Sequence, residues 1–314
     1  VNIAIFGAAG AIGPVAAAEL MSRGHRVRLV GRNAARLAGV AAGAEPFVAD
    51  LMDPRETVAA ATGMDAVLSA VGVPYHHFEL HPPMMRTTLA AAKAAGVDRL
   101  IHISNVYPYG RPQTALVAET HPREPHTRKG RWRKEQEDLV LAAHDAGGLK
   151  TLALRPPDFY GPTAANSMAD YALKSMLAGK PADVLSPINT PHEWIYVPDL
   201  APVIADLFER PHAFGTAYNI AGPGTLTVRQ FAGKLFAAAN REVRVREAGP
   251  LLLRAFGVFN PMMRELVEMS YLYETPVLLD DTKLRGLLGA IRKTSYDDGI
   301  RATVAAALDS ALVA

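Results

Sequence analysis

Gly7, Gly10 and Gly13 stand three residues apart in IFGAAGAIG, a spacing suited to holding a phosphate. The run follows the apolar, strand-like NIAIF and opens an Ala-rich segment with helical periodicity. Each glycine has a steric task there: a tight turn, a close backbone approach to a pyrophosphate, and packing of helix on strand. The unpaired N–H groups and the positive end of the helix dipole then face the anion. Pro14 falls in the first turn, where its missing N–H costs little. A Gly/Ala-rich turn with no ligand would carry the same residues, but one that closes the first strand of a βαβ unit points to a dinucleotide. An NAD site usually has an acid at the end of the second strand for the ribose hydroxyls. This chain has Gly31, Arg32 and Asn33. A guanidinium grips a 2′-phosphate with two parallel hydrogen bonds, so NADP(H) is favoured over NAD(H), unless Arg32 merely starts a solvated helix. Asp50, after the third strand, either accepts from the adenine amino group or caps the helix begun by DPRE.

Other residues are spaced for chemistry. In HTRKGRWRKEQEDL, Lys129, Arg133 and Glu137 recur every four residues and share one helix face. A basic run with a tryptophan can bind nucleic acid, but no other basic stripe supports that; otherwise it is a solvated helix face. YHHFELH gathers His76, His77, Glu79 and His81. A metal needs ligands that converge, whereas adjacent histidines point apart, so no metal site is expected. The segment is then a pocket wall or an ordinary loop. In RPPDFYGP, Asp158 and Tyr160 border the pocket and Arg155 anchors that loop. His192, Glu193 and Trp194 begin a strand that reaches substrate or packs a core. Residues 260–280 read as an amphipathic helix with Met262, Met263, Leu266, Met269 and Tyr273 for one face, either core or lid. Asp281 and Lys283 match no role.

The elements that must position these groups alternate. NIAIF (2–6), RVRLV (26–30), EPFVA (45–49), AVLSA (66–70), RLIHI (99–103) and KTLALR (150–155) read as strands, with helical segments between them. Such alternation of short buried strands predicts an α/β, Rossmann-type doubly wound parallel sheet. After Pro156 prolines become frequent, and short strands (ADVLS, EWIYV, AYNIA) alternate with helices near 166–179, 199–209, 227–239 and 296–312. The predicted organisation is a dinucleotide-binding domain over 1–156 and a smaller, interleaved α/β substrate lobe over 157–314, with segments returning to the main sheet. The 314 residues are 49% apolar and 20% charged with a formal net charge of +2, so no global field draws nucleic acid or anionic lipid. The absence of cysteine excludes disulfides and thiolate chemistry. No long uncharged apolar run suggests a membrane span, and the start lacks the layout of a signal peptide, which points to a cytoplasmic protein.

Taken together, GAAGAIG (7–13), ADLMD (49–53), LSAVG (68–72), HISNVYPYG (102–110), RPPDFYGP (155–162), EWIYVPDLA (193–201) and YNIAGPGTLTVRQFA (218–232) resemble the extended short-chain dehydrogenase/reductase family, the NAD(P)-dependent epimerase/dehydratases. The resemblance spans nearly the whole chain. It implies a Rossmann domain with a C-terminal substrate lobe, and a cofactor lined by Gly7, Gly10, Ala11, Ile12, Gly13, Arg32, Asp50, Leu51, Ala70 and Val71, with Pro156 near the nicotinamide. It also implies a homodimer paired through two long helices, here 76–95 and 128–146. The family uses Ser or Thr to hold the substrate oxygen and a Tyr-x-x-x-Lys pair to move its proton. This chain departs from that pattern, with Asn105 at the Ser/Thr position (Ser104 precedes it), Lys129 at the tyrosine and Arg133 at the lysine. The Lys-x-x-x-Arg-x-x-x-Glu spacing also looks like the atypical isoflavone-reductase-like branch, where a lysine replaces the pair. Lys129, buried beside the nicotinamide and next to Arg133, would have its pKa lowered by desolvation and like charge and exchange protons near neutral pH. It would also touch the cofactor. Arg133 would bind ribose hydroxyls, and Tyr107 and Tyr109 are loop alternatives for the proton. His76, Tyr107, Asp158, Tyr160 and Trp194 would line the substrate.

The function these features imply is an NADP(H)-dependent oxidoreductase or epimerase/dehydratase acting on a carbonyl or secondary alcohol of a small molecule, a sugar nucleotide being the family's usual case. The alternative is an NADP(H)-binding redox sensor without turnover.

Overall fold

The computed structural model describes residues 1–165, 167–249, 265 and 267–313. The six strands predicted in the first half all form: β1 (Asn2–Phe6), β2 (Arg26–Gly31), β3 (Glu45–Val48), β4 (Ala66–Ser69), β5 (Arg99–Ile103) and β6 (Lys150–Arg155). Further on come β7 (Asp158–Tyr160), β8 (Ala182–Leu185), β9 (Pro191–Tyr196), β10 (Ala217–Asn219), β11 (Thr225–Thr227) and β12 (Val245–Ala248). One seven-stranded sheet runs β10-β6-β5-β4-β1-β2-β3 with every neighbouring pair parallel. The fold is therefore the Rossmann-type α/β sheet, with AYNIA returning to its edge as β10.

The helices are α1 (Gly13–Ser22), α2 (Ala34–Ala38), α3 (Pro54–Ala61), α4 (His81–Ala94), α5 (Arg128–Asp145), α6 (Met168–Leu177), α7 (Leu200–Phe208), α8 (Val228–Ala238), α9 (Tyr271–Glu274), α10 (Thr282–Leu288) and α11 (Tyr296–Val313). Along β1, Ile3 and Ile5 face a core shared with Leu20 of α1 and Ile204 of α7. Ala4 and Phe6 face the other core, with Ala60, Met85 and Val140 from α3, α4 and α5. Both faces are covered, which is why AVLS is buried along its whole length. Separate small sheets, β11-β9-β7 and β12-β8, carry the rest. They surround an aromatic cluster in which the Trp194 and Tyr160 rings lie 4.5 and 5.1 Å from Phe231.

Strand order reverses between β1 and β4, and ligands of such sheets bind at that switch point, beyond the carboxyl ends of the strands. Here the Gly7 turn meets the end of β4. Gly7 has φ +84°, and a Cβ there would lie 2.8 Å from the Ala70 carbonyl oxygen. A Cβ on Gly13 would lie 2.0 Å from the Ala8 oxygen, so only glycine lets α1 settle on its turn.

Two expectations change. Asp50 does not cap the DPRE helix; Asp53 does, accepting from the amides of Arg55 and Glu56, while Asp50 accepts from Met52 N–H at 2.9 Å. The helix predicted over 260–280 does not run to its end: α9 stops at Glu274, and Leu279 bridges Val117 as extended chain. Of its apolar face, Met269 and Tyr273 are buried, and Met262, Met263 and Leu266 lie outside the described residues. Asp281 and Lys283 are structural. Asp281 accepts from Arg285 and Lys293, and Lys283 donates to the Ala217 carbonyl at 2.9 Å, fastening α10 to β10. No helix among the described residues is long and apolar enough to cross a membrane.

Gly13→Ala forces a methyl group into backbone, and overpacking against such a neighbour costs about 3 kcal/mol or more. Urea denaturation should show that loss as a lower midpoint; an unchanged midpoint would contradict the packing described.

Candidate active site

The glycine turn leaves the first-turn amides of α1 without intrahelical acceptors. Gly7 and Ala8 N–H instead bond the Val30 carbonyl, which ties the turn to β2. Ala70 and Val71 close one side of the turn, and Leu51 is buried nearby in the core under β1. Arg32 is exposed at the end of β2. Arg36, which sequence reasoning overlooked, reaches back from α2 to donate to the Ala9 carbonyl at 2.9 Å. The Arg36 guanidinium thus belongs to the rim of the turn. Thr163 of the later chain donates to the Ala11 carbonyl at 2.6 Å and joins the two halves at this point.

At the other end of the crevice, Thr127 caps α5 by accepting from Gly130 N–H at 3.0 Å. The helix seats closely because residue 130 is glycine: a Cβ there would lie 2.9 Å from the Tyr107 carbonyl oxygen. Lys129 is wholly buried. Its surroundings differ from those expected. Instead of a like charge, two carboxylates from the later chain meet its ammonium: Nζ donates to Glu265 and, at 2.7 Å, to Glu268. Glu268 also accepts from the Lys129 backbone N–H at 3.1 Å, so one carboxylate holds both ends of the residue. Burial alone would raise the Glu268 carboxyl, but its bonds to Lys129 prevail and hold it below the ordinary range.

The remaining predicted catalytic groups face inward. Ser104 Oγ donates to Glu137 at 2.7 Å and is not free for a substrate oxygen. Arg133 does not present its fork to a ribose. It donates to Gln136 at 2.6 Å and to the Ile103 carbonyl at 3.1 Å, beside His81 Nδ1 at 3.3 Å. Burial pushes its guanidinium down to about 10, and burial followed by Arg133's charge pushes His81 and His102 well below the usual imidazole value. Asn105 is half-buried, and its Oδ1 accepts from Tyr107 N–H at 3.1 Å, leaving the amide nitrogen as its donor.

Glu137 is the centre of this inner network. It accepts from Ser104, from Arg123 at 2.8 Å and from Arg155 through Nε at 3.0 Å and through Nη2. Burial acts to raise its carboxyl, but the Arg155 guanidinium, Ser104 and Arg123 outweigh it and hold it low. Arg155 continues to Tyr109 Oη at 2.6 Å, and Tyr109 donates to Asn219 of β10 at 2.8 Å. Tyr109 is thereby committed to the interior and is not a proton donor for substrate.

Among the predicted substrate residues, Tyr160 and Trp194 are corrected to core: both are fully buried in the aromatic cluster. His76 is exposed and its ring lies 4.3 Å from His77; from that turn Tyr75, not His76, points inward. Tyr75 and Tyr107 share a hydrogen bond of 2.7 Å between hydroxyls, and Lys129 Nζ lies 5.9 Å from the Tyr75 ring centroid. Burial, then the Asp158 charge, pushes the Tyr75 phenol up to about 12. Asp158 is partly exposed and bonds His192 at 2.9 Å. Pro156 is buried directly after β6.

Residues 3–221 match the NAD dependent epimerase/dehydratase family. The chain belongs to that family. A dTDP-glucose 4,6-dehydratase of Streptomyces griseus is 25% identical over 221 residues, 70% of this chain and 62% of that protein. The chain thus spans less than two thirds of that relative. Among solved structures, the dTDP-glucose 4,6-dehydratase of Streptomyces venezuelae, with NAD and TYD bound, superposes with a TM-score of 0.83 at 21% identity, covering 98% of this chain and 97% of that one. The UDP-glucose 4-epimerase of Thermus thermophilus, in complex with NAD, gives 0.81 at 20% identity, covering 98% and 99%. These two establish the shared fold.

Replacing one partner of a buried ion pair strands the other, at about 3–5 kcal/mol. Glu137→Gln should lower unfolding stability by that amount with an unchanged denaturant slope. A loss below about 1 kcal/mol would mean that Arg155 finds another partner.

Proposed function

We propose that the protein is an NADP(H)-dependent oxidoreductase or epimerase/dehydratase that acts on a carbonyl or secondary alcohol of a small molecule, of which a sugar nucleotide is the leading class. The observation that carries this is the glycine turn at the switch point of the sheet: three positions where a Cβ would strike or crowd backbone, at the mouth of a helix whose first amides lack partners. Those residues suit a pyrophosphate. Gly31, Arg32 and Asn33 at the end of β2, with Arg36 held over the turn, suit a 2′-phosphate better than bare ribose hydroxyls. When bound, the dinucleotide supplies a hydride donor or acceptor. The chain supplies the rest. Lys129 has two of its three N–H bonds committed to Glu265 and Glu268, so it is a clamped hydrogen-bond donor with one N–H left for a substrate oxygen. The amide of Asn105 is the second donor. The dehydratase and epimerase activities named for the relatives support the reaction class.

Titration of intrinsic and NADPH fluorescence tests the cofactor. Losing a bidentate charge-assisted contact costs about tenfold in affinity. Arg32→Ala with Arg36→Ala should raise the Kd for NADPH by at least that factor and leave that for NADH within about twofold; equal effects on both would contradict NADP(H) preference. With dTDP-glucose, UDP-glucose and simple ketones and aldehydes as probes, Lys129→Met should lower kcat about 10²-fold with NADPH affinity retained. Binding without turnover by the unmodified protein would favour a sensor.

A further inference from the structure

We propose that Asp158 and His192 are the proton-transfer pair of this site, with Asp158 receiving and returning the substrate proton and His192 positioning it. The proposal rests on the functional reading above and supplies what the family's tyrosine position, occupied here by a clamped lysine, does not.

The candidates around Lys129 narrow by chemistry. Tyr75, Tyr107, Tyr271 and Tyr273 gather near it, and burial pushes every phenol up, which disfavours the phenolate that would have to accept the substrate proton. Deprotonating Lys129 would leave Glu265 and Glu268 without their counter-ion. Those two carboxylates are in turn held by Lys129. Asp158 is different. Among the described residues no lysine or arginine pairs with it, its side chain keeps 30% of its exposure, and its partner His192 stacks on Tyr273, one of these four phenols.

His192 is built in rather than draped on the surface. It is 6% exposed, and its ring lies parallel to Tyr273 at 4.9 Å and 9° and against Trp194 at 4.5 Å. Asp158 pairs in register with Trp194, so β7 and β9 set the contact between carboxylate and imidazole. His192 Nε2 and Asp158 Oδ2 are 2.9 Å apart, which makes Nε2 the donor to the carboxylate. Nδ1 is buried with no partner among the described residues. In the oxidative direction the substrate O–H bond breaks and its proton passes to Asp158 Oδ1, the oxygen His192 does not engage. The freed electron pair forms the carbonyl as the carbinol C–H leaves as hydride to the oxidised nicotinamide dinucleotide. The reverse returns both.

The test uses the full chain with NADPH or NADP⁺ and the probes dTDP-glucose, UDP-glucose and cyclohexanone. Asp158→Asn and His192→Asn should each lower kcat by about 100-fold or more while KM moves less than about threefold and NADPH affinity less than about twofold. In His192→Gly, added imidazole should restore roughly tenfold or more of the lost kcat. Nitrogen NMR of histidine-labelled protein gives a readout apart from turnover: the unmodified chain should show one downfield Nε2–H proton, lost in Asp158→Asn. Variants that fold, by melting and NADPH binding, yet turn over normally or change KM alone overturn the assignment while sparing the functional reading. No turnover of any probe by NADPH-bound unmodified protein overturns both.

Discussion

A full negative charge sits in the middle of this protein, and much of the architecture follows from neutralising it. Glu137 has no exposure, so its carboxylate must be met by cations and hydrogen bonds from within. Arg155 at the end of β6, Ser104 after β5 and Arg123 before α5 all converge on it. Through Arg155 the same network reaches Tyr109 and then Asn219 on the edge strand β10. One helix is thereby fixed to three neighbouring strands of the sheet at their carboxyl ends, the level at which a bound dinucleotide would present its reactive ring.

That anchoring explains why the polar residues nearest the family's catalytic positions are not all available for chemistry. Ser104 and Arg133 are spent on holding α5, β5 and the preceding loop together. Lys129, one turn earlier, faces the opposite requirement: its buried ammonium needs anions, and the later chain provides Glu265 and Glu268. One helix thus carries two ionic centres, an anion served by arginines and a cation served by glutamates.

Much of this was legible in the sequence. The six strands of the first half lie within a residue or two of where alternating apolar runs put them, because a parallel sheet buried on both faces imprints a local pattern. The glycine turn was legible because its sterics are local. Gly130 carried a signal too: a glycine in the first turn of a helix marks close backbone approach, here to Tyr107. The partners of Lys129 were not legible, since Glu265 and Glu268 lie 136 and 139 residues downstream and nothing in their own neighbourhood announces an ammonium. The sequence puts Tyr160 at the pocket and leaves Trp194 open between substrate and core for a related reason: border and core positions of a short strand alternate, and only the packing of α8 and α11 decides which is which. Arg36 was missed because its reach back to Ala9 depends on the short α2 turning its first side chains over the glycine turn.

The most direct measurement of the whole arrangement is a crystal structure of the chain soaked with NADP⁺. The account predicts the pyrophosphate on the first-turn amides of α1, the 2′-phosphate between Arg32 and Arg36, and the nicotinamide ring in the crevice bounded by Lys129, Asn105 and Asp158. A dinucleotide bound away from the Gly7–Gly13 turn, or one whose nicotinamide lies on the far side of α5 from Lys129, would contradict it.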